Sequence, residues 1–293
     1  MPTIKTAKLE ISYDDAGCAD GPALLLLHGW PDDASTWDGV RPSLTAAGFR
    51  TIAPMARGFG ATRFLSTSTS RTGNTAILAI DAIELLDALC IEHVCVAGHD
   101  WGANIAEMLA VGWPDRVIRI AMLSTPSRLG GLKSPPFSHA RLQWYHWFQA
   151  TKRGAEAVRQ DPKGFARIMW ETWSPQGWFE EATFDQVSRS FMNPDWLDIT
   201  LHSYQSRWDE ASPDPDSRWL DDKVKATDTL DIPAIYIQGA EDGVNPPQTS
   251  EATAEKYTGE FRRIELEGVG HFPTREAPKE VSALLVDHFK RLS

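Results

Sequence analysis

The sequence predicts an α/β protein with a mostly parallel central sheet flanked by helices and an inserted helical segment. Two observations lead to this prediction. Short apolar runs of the kind buried in parallel sheets alternate with helical patterns over residues 23–123, and the alternation returns over 233–291. Between them, residues 124–222 lose the alternation and are dense in aromatic side chains. We therefore expect a first core segment at 1–130, a helical cap at 131–222 and a second core segment at 223–293.

Each element is predicted from a local pattern. Alternating or continuous apolar residues predict strands over 5–13, 23–27, 49–53, 94–97, 117–123, 233–239 and 261–266. Apolar residues at helical spacing, with glycine or loop residues at the ends, predict helices over 37–47, 75–90 and 277–291. The helix over 75–90 is expected to be amphipathic. Most of the tryptophans in the cap are expected to pack between its helices, and a few to face a cleft.

The composition excludes several classes of protein. The chain has 293 residues, 42% hydrophobic and 24% charged, which is ordinary for a soluble globular protein. A net charge of −11 argues against binding to nucleic acid or to an anionic membrane. There is neither an apolar run long enough for a membrane span nor the apolar core of a signal peptide, so a cytoplasmic protein is expected. Cys18, Cys90 and Cys95 lack metal-ligand spacing and are expected to be buried thiols, with no metal site.

Segment 94–104 predicts a nucleophile elbow. A short strand is followed by a turn between Gly98 and Gly102 and then by a helix, with Asp100 at the strained central position. A carboxylate is ionised at neutral pH, with an ordinary pKa of roughly 3.9, and therefore needs no base to become a nucleophile. Its attack on a saturated carbon gives an alkyl ester, whereas attack on an ester or amide would require an unfavourable anhydride. Asp100 therefore argues against esterases and peptidases, and favours opening of a strained C–O bond or displacement of a halide.

Two later loops supply an acid and a histidine. Asp242 follows the strand predicted over 233–239, and His271 follows the strand over 261–266. Because the carboxyl ends of parallel strands meet at one edge of a sheet, both side chains are expected near Asp100. His271 would take a proton from the water that hydrolyses the ester, and Asp242 would orient its ring. Because Glu241 lies directly before Asp242, the sequence leaves open which of these two residues is the acid.

The chain resembles the epoxide hydrolase and haloalkane dehalogenase branch of the α/β-hydrolase superfamily, from about Leu24 to its C-terminus. The resemblance rests on His28-Gly29-Trp30-Pro31, which matches the oxyanion motif of the branch, and on Gly98-His99-Asp100-Trp101-Gly102, which matches its elbow. It implies an α/β-hydrolase fold with a helical cap and no cofactor. It also implies that the backbone N–H groups of Trp30 and Trp101 form the oxyanion hole.

The cap distinguishes the two chemistries of this branch. The resemblance implies two cap tyrosines that bind the oxygen released from an epoxide. Tyr204 matches the second of these positions, and either Tyr145 or Trp144 falls at the first, because the register there is ambiguous. Trp144 together with Trp101 would suit a halide, whereas Tyr145 would suit an epoxide.

Two features weigh against dehalogenation. Trp30 stands where many haloalkane dehalogenases have a halide-binding asparagine. Trp101 and Asn104 stand where haloacetate dehalogenases have arginines that bind a carboxylate.

The favoured interpretation is therefore an enzyme that opens epoxides to vicinal diols through an ester on Asp100. A haloalkane dehalogenase, or another carbon–halogen hydrolase, with the same triad is the first alternative. A catalytically silent relative that binds a small apolar ligand is the second. The expected partners are a small, neutral, apolar substrate and water, with neither nucleic acid nor membrane, and a homodimer is left open.

Overall fold

The fold is described from a computed structural model of the chain, which describes residues 1–291. The strands are β1 (Thr3–Lys5), β2 (Leu9–Ala16), β3 (Ala23–Leu27), β4 (Arg50–Pro54), β5 (Arg63–Phe64), β6 (Val94–His99), β7 (Val117–Leu123), β8 (Ala234–Gly239) and β9 (Phe261–Leu266). The helices are α1 (Arg41–Ala46), α2 (Thr75–Ala88), α3 (Trp101–Gly112), α4 (Phe137–Ala140), α5 (Trp144–Ala150), α6 (Lys152–Gln160), α7 (Pro162–Thr172), α8 (Glu181–Ser188), α9 (Trp196–Arg207), α10 (Arg218–Ala226), α11 (Pro273–Glu276) and α12 (Pro278–Lys290). Short 3₁₀ turns lie at Ala34–Trp37, Arg189–Met192, Pro215–Ser217 and Pro247–Lys256.

The strands form one sheet in the order β1-β2-β4-β3-β6-β7-β8-β9, with β5 paired to β2. The β2 pairings are antiparallel, and every pairing from β4 to β9 is parallel. The central strands β3, β6 and β8 are buried along almost their whole length because both faces of the sheet are covered, as is typical of a parallel sheet. The predicted fold class, a mostly parallel sheet flanked by helices, is confirmed.

The two faces of the sheet bury separate cores. One core packs the apolar side chains of α1 and α12, including Leu44, Leu285 and Phe289, against β3, β6, β7 and β8. The other, larger core packs α2 and α3 against the opposite face and continues into the inserted helices. The sheet therefore holds its strand ends rigidly, and side chains placed there are positioned by both cores.

Helices α4 to α10 lie between β7 and β8 in the chain. Helix α10 spans the predicted boundary at 222 and packs on α3, with Leu220 and Val224 buried. The predicted division into 1–130, 131–222 and 223–293 stays a prediction. Within residues 1–291, none of the helices combines the length and apolarity that crossing a membrane would require.

Several local expectations are corrected. The helix predicted over 37–47 is a 3₁₀ turn ending at Trp37, followed by α1, because Pro42 favours the first turn of a new helix. Helix α2 is buried on most of its surface rather than amphipathic, since α3, α10 and the 3₁₀ turn at Pro215–Ser217 pack against it in addition to the sheet. Cys95 is buried, as expected, but Cys18 and Cys90 are exposed.

Candidate active site

The elbow places Asp100 between the end of β6 and the start of α3 with a strained backbone. Its φ of 53° and ψ of −114° are unusual for a residue with a side chain. A Cβ at Gly98 would collide with the backbone of Gly102, and a Cβ at Gly102 would collide with the carbonyl of Leu27. Only glycine fits at these two positions, so the sequence around Asp100 is what allows the sharp reversal.

The carboxylate of Asp100 is held by groups at the edge of the sheet. Its Oδ1 accepts a hydrogen bond of 2.8 Å from the backbone N–H of Trp30, and its Oδ2 accepts one of 3.4 Å from the Thr125 hydroxyl. The N–H of Trp101 belongs to the first turn of α3, where helix geometry leaves amides without a partner within the helix. The side chain of Asp100 remains 10% exposed, so the carboxylate is not sealed from a small molecule.

His271 lies between two carboxylates. Its Nε2 is 3.6 Å from Asp100 Oδ2, and its Nδ1 is 2.9 Å from Asp242 Oδ2. The other oxygen of Asp242 accepts hydrogen bonds from the backbone N–H groups of Val244 at 2.9 Å and Asn245 at 2.8 Å. The imidazole is therefore fixed at Nδ1 and presents Nε2 to the nucleophile candidate, as a water-activating base requires.

Of the adjacent residues Glu241 and Asp242, it is Asp242 that contacts His271. Asp242 is buried, whereas Glu241 is exposed. The structure thus brings together Asp100, His271 and Asp242 from the loops after β6, β9 and β8, at the predicted edge of the sheet. Their catalytic roles remain predictions.

The charges of this cluster stabilise an ion pair. Burial opposes ionisation of Asp100, but the neighbouring His271, with help from His99 and the Trp30 N–H, lowers the pKa of Asp100 to about 2. Burial likewise acts to lower the pKa of His271, but the charges of Asp242 and Asp100 outweigh it and raise the pKa of His271 to about 10. At neutral pH the site therefore holds an ionised Asp100 beside a protonated His271.

This ion pair predicts a pH dependence of stability. The folded protein keeps the His271 proton up to about pH 10, whereas an unfolded histidine loses it near pH 6.5. Between these values the folded state binds more protons, so the stabilisation by the charged ring is fully present below pH 6.5 and is lost as the pH rises towards 10. We expect the stability advantage of the wild type over His271→Gln to shrink between about pH 6 and about pH 9 in urea unfolding. A difference that stays constant or grows would contradict the assigned charge state.

Two tyrosines of the cap lie beside this cluster. Tyr145 and Tyr204 are buried, and their ring centroids are 5.4 Å apart. The Trp30 ring stacks on Tyr145 at 5.8 Å and lies edge-on to Tyr204 at 5.2 Å. Burial, followed by nearby charges that include ionised Asp100, raises the pKa of both phenols well above 10, so both remain protonated donors at neutral pH.

The structure places Tyr145, and not Trp144, beside Tyr204. Trp144 is 38% exposed and packs on Phe148 and Phe165, whereas Tyr145 is 4% exposed and contacts Trp30 and Tyr204. The two residues are adjacent on α5 and point about 100° apart around the helix axis. Only one of them can face the sheet edge, and it is Tyr145.

Several residues of the site were not found from the sequence. Ser174 Oγ accepts a hydrogen bond of 2.9 Å from the backbone N–H of His271, and the Trp173 carbonyl also accepts from that N–H at 3.1 Å. His99 Nε2 bonds to the His271 carbonyl at 2.7 Å. These contacts fix the His271 loop against the cap and the elbow. The position of His99 beside Asp100 was a usable signal, whereas Trp173 and Ser174 carry no local motif.

Comparisons with known proteins identify the family of the chain. The alpha/beta hydrolase fold model matches residues 22–278. Epoxide hydrolase A of Mycobacterium tuberculosis is 25% identical over 97% of this chain and 95% of its own length, and an epoxide hydrolase of Caballeronia sordidicola is 28% identical over 91% and 87%. A crystal structure of a provisionally assigned epoxide hydrolase from Klebsiella pneumoniae superposes with a TM-score of 0.93 at 35% identity, covering 99% of this chain and 97% of the other. The chain belongs to the α/β-hydrolase superfamily, in the branch that contains the epoxide hydrolases.

Proposed function

We propose that this hydrolase opens epoxides to vicinal diols through an alkyl ester formed on Asp100. The observation that supports this most directly is the pair of buried phenols, Tyr145 and Tyr204, whose rings lie 5.4 Å apart and both contact the ring of Trp30, the residue whose backbone N–H donates to Asp100. An epoxide held between them would meet a nucleophile on one side and two hydrogen-bond donors on the other. The similarity to proteins named epoxide hydrolases points to the same reaction.

In the first step, an oxygen of Asp100 attacks an epoxide carbon, a C–O bond forms and the C–O bond of the ring breaks. The electron pair of the broken bond becomes an alkoxide, which takes a proton from a phenol of Tyr145 or Tyr204. That phenol is reprotonated at the expense of the His271 imidazolium, by way of solvent. The result is a neutral ester on Asp100 and a neutral imidazole.

Esterification also prepares the second step. The charge of Asp100 contributes to the raised pKa of His271. Loss of that charge in the ester therefore lowers the pKa of His271 and favours the neutral imidazole. Neutral His271 takes a proton from water, and the hydroxide attacks the ester carbonyl carbon of Asp100. The Trp30 N–H, already 2.8 Å from Oδ1, is placed to stabilise the negative oxygen that develops there. Collapse releases the product alkoxide, which takes the proton of the new carboxylic acid, so that the diol leaves and the ion pair of Asp100 and His271 is restored.

Displacement of halide is a second candidate, which one observation favours. The indole N–H of Trp30 is buried and has no hydrogen-bond acceptor within residues 1–291. An indole donor near the nucleophile would suit a departing halide. The same ester chemistry and the same His271 would then complete the reaction.

The two candidates are separated by their products. Purified protein should convert styrene oxide to phenylethane-1,2-diol and release no chloride above the blank from 1-chloro-2-phenylethane. The reason is that neutral phenols donate to a developing alkoxide more effectively than to a weakly basic halide. Diol is measured by chromatography and chloride by ion chromatography. Chloride release without diol formation would replace the proposal with dehalogenation.

Tyr204→Phe sharpens this comparison, with Trp144→Phe as its matched control. Loss of the Tyr204 hydroxyl should lower kcat/KM for the epoxide by roughly 10²-fold and affect halide displacement much less. Trp144→Phe changes an aromatic ring of the same cap that packs outside the site, and it should leave both activities unchanged. An unaltered epoxide rate in Tyr204→Phe would remove Tyr204 from the mechanism.

A further inference from the structure

Arg207, the last residue of α9, has unsatisfied donors next to the two tyrosines. Its Nε and Nη2 are buried and have no hydrogen-bond partner among residues 1–291. Its Nη1 is 3.4 Å from His146 Nε2, and its guanidinium carbon lies 5.0 Å from the centre of the Tyr204 ring. Burial followed by the charges of Arg207 and Arg128 lowers the pKa of His146 well below 6.5, so His146 is neutral and supplies no counter-charge.

Arg128 lies in the segment that follows β7. Its backbone N–H donates to Glu107 Oε2 at 2.6 Å, which anchors the segment that follows β7. Its guanidinium makes a weak contact of 3.4 Å with the Thr75 hydroxyl. Asn104 supports this segment by donating to the Pro126 carbonyl at 3.2 Å.

Neither arginine forms an ion pair in the part of the chain that the structure describes. Every other arginine there that is not exposed has a carboxylate partner within 4.0 Å. The partnered arginines are Arg41, Arg50, Arg57, Arg71, Arg116, Arg119, Arg167, Arg262, Arg263 and Arg275. Arg128 and Arg207 therefore depart from a pattern that the rest of the molecule follows.

The two guanidinium groups also act on each other and on the reaction centre. Burial, followed by the charge of Arg207, lowers the pKa of Arg128 to about 9. Both arginines also act on Tyr145, where their charges oppose the effect of burial on the phenol pKa. The charges of Asp221, Asp100 and Glu107 act on Arg128 in the opposite sense, so Arg128 already has carboxylates in its surroundings. Arg207 differs, because its buried Nε and Nη2 have no partner among residues 1–291, and an anion would satisfy them.

We propose that Arg207 binds an anionic group of the substrate, so that the epoxide opened at Asp100 carries a carboxylate or a phosphoryl group. This inference rests on the proposed function and specifies its substrate class. A guanidinium group presents planar, paired donors that match both anions. Because the whole chain carries a charge of −11, it offers no general attraction for anions, and recognition would depend on this arginine. The substrate class differs from the neutral one expected from the sequence.

The orientation of such a substrate follows from the charges. Asp100 would repel an anion, so the anionic group would point away from it, towards the cap. Arg207 lies against the Tyr204 ring, so an epoxide oxygen bound by the phenols would be only a few bonds from an anion bound by Arg207. A small epoxide with its anion close to the ring fits this description.

The test compares substrates that share a skeleton and differ in charge. We expect kcat/KM for 3-phenylglycidate to exceed that for 3-phenylglycidamide by at least about tenfold. Arg207→Gln should lower the value for the carboxylate by roughly 10- to 100-fold through KM, and should change the value for the amide by less than about threefold. For the carboxylate, Arg207→Lys, which keeps the charge and loses the paired donors, should have a kcat/KM between those of the wild type and Arg207→Gln. Arg189→Gln removes one exposed positive charge from the cap and should alter neither value.

A second pair of probes identifies the anion. Turnover of (1,2-epoxypropyl)phosphonate above that of 3-phenylglycidate would assign the anion site at Arg207 to phosphoryl groups, and the reverse order would assign it to carboxylates. Equal losses for the charged and neutral substrates in Arg207→Gln would overturn the inference and leave Arg207 as a support for Tyr204.

Binding of the diol acid separates this inference from the proposed function. Calorimetric titration with 2,3-dihydroxy-3-phenylpropanoate and with its amide does not require turnover. Tighter binding of the acid, lost in Arg207→Gln, would support the anion site even if no epoxide were opened. Diol formation from styrene oxide, together with equal binding of acid and amide, would keep the proposed function and reject the anion site.

Discussion

Replacing His271 with alanine is expected to stop the reaction after one chemical step and to leave Asp100 alkylated. The first step needs the ionised carboxylate and a proton from a phenol but no base, whereas hydrolysis of the ester needs a base to activate water. The 2.9 Å bond to Asp242 and the 3.6 Å approach to Asp100 make His271 the group placed for that task. Turnover should fall by on the order of 10³-fold or more.

Intact-protein mass spectrometry after exposure to styrene oxide provides the measurement. The mass of His271→Ala should rise by that of one epoxide, and fragmentation should place the adduct on Asp100. His93→Ala, which changes an exposed histidine, should turn over normally and carry no lasting adduct. An unmodified His271→Ala protein that still binds the epoxide would favour a ligand-binding role over catalysis.

Asp100→Asn is expected to abolish formation of the ester and to lower turnover by on the order of 10⁴-fold or more. The amide keeps the size of the side chain and can still accept the Trp30 N–H, but its oxygen is a far weaker nucleophile. The variant also loses the charge that helps to keep His271 protonated. Burst kinetics and intact mass are the measurements, and circular dichroism checks that the fold is retained.

Labelled water distinguishes the ester from direct attack by water on the epoxide. In a single turnover in H₂¹⁸O with enzyme in excess, the diol should contain no label, and a peptide containing Asp100 should gain one ¹⁸O atom. Label in the diol from the first turnover would show that water attacks carbon directly, and Asp100 would then be a base rather than a nucleophile. Asp100→Asn with wild-type turnover would reject the carboxylate in either role.

Much of the architecture could be predicted because it depends on short-range patterns. The apolar runs of β3, β6 and β8 mark strands covered on both faces, and the helices between them require parallel crossovers. The elbow could also be predicted, because a Cβ at Gly98 or Gly102 would collide with nearby backbone and glycine is therefore required on both sides of Asp100. The expected meeting of Asp100, Asp242 and His271 at one sheet edge follows from the same parallel order.

Other features could not be predicted from local sequence patterns because they depend on how distant segments pack. The sequence could not decide between Trp144 and Tyr145, since one helical step separates them and only docking of α5 determines which faces the sheet. Ser174 meets the backbone of His271 across 97 residues of chain. The start of the helix predicted over 37–47 was wrong, because Trp37 ends a 3₁₀ turn and α1 begins only at Arg41, where Pro42 favours the first turn of a helix.

By itself, the sequence determined the parallel sheet, the strained elbow and the chemical type of its central residue, because each depends on neighbours in the chain. The tertiary structure alone decided which aromatic side chain of α5 contacts Trp30 and Tyr204, and that Arg207 lies against the Tyr204 ring and His146 without a carboxylate partner among residues 1–291. The contact of Arg207 with His146 joins residues 61 positions apart, and its energy comes from burial and charge that exist only once the cap helices have packed.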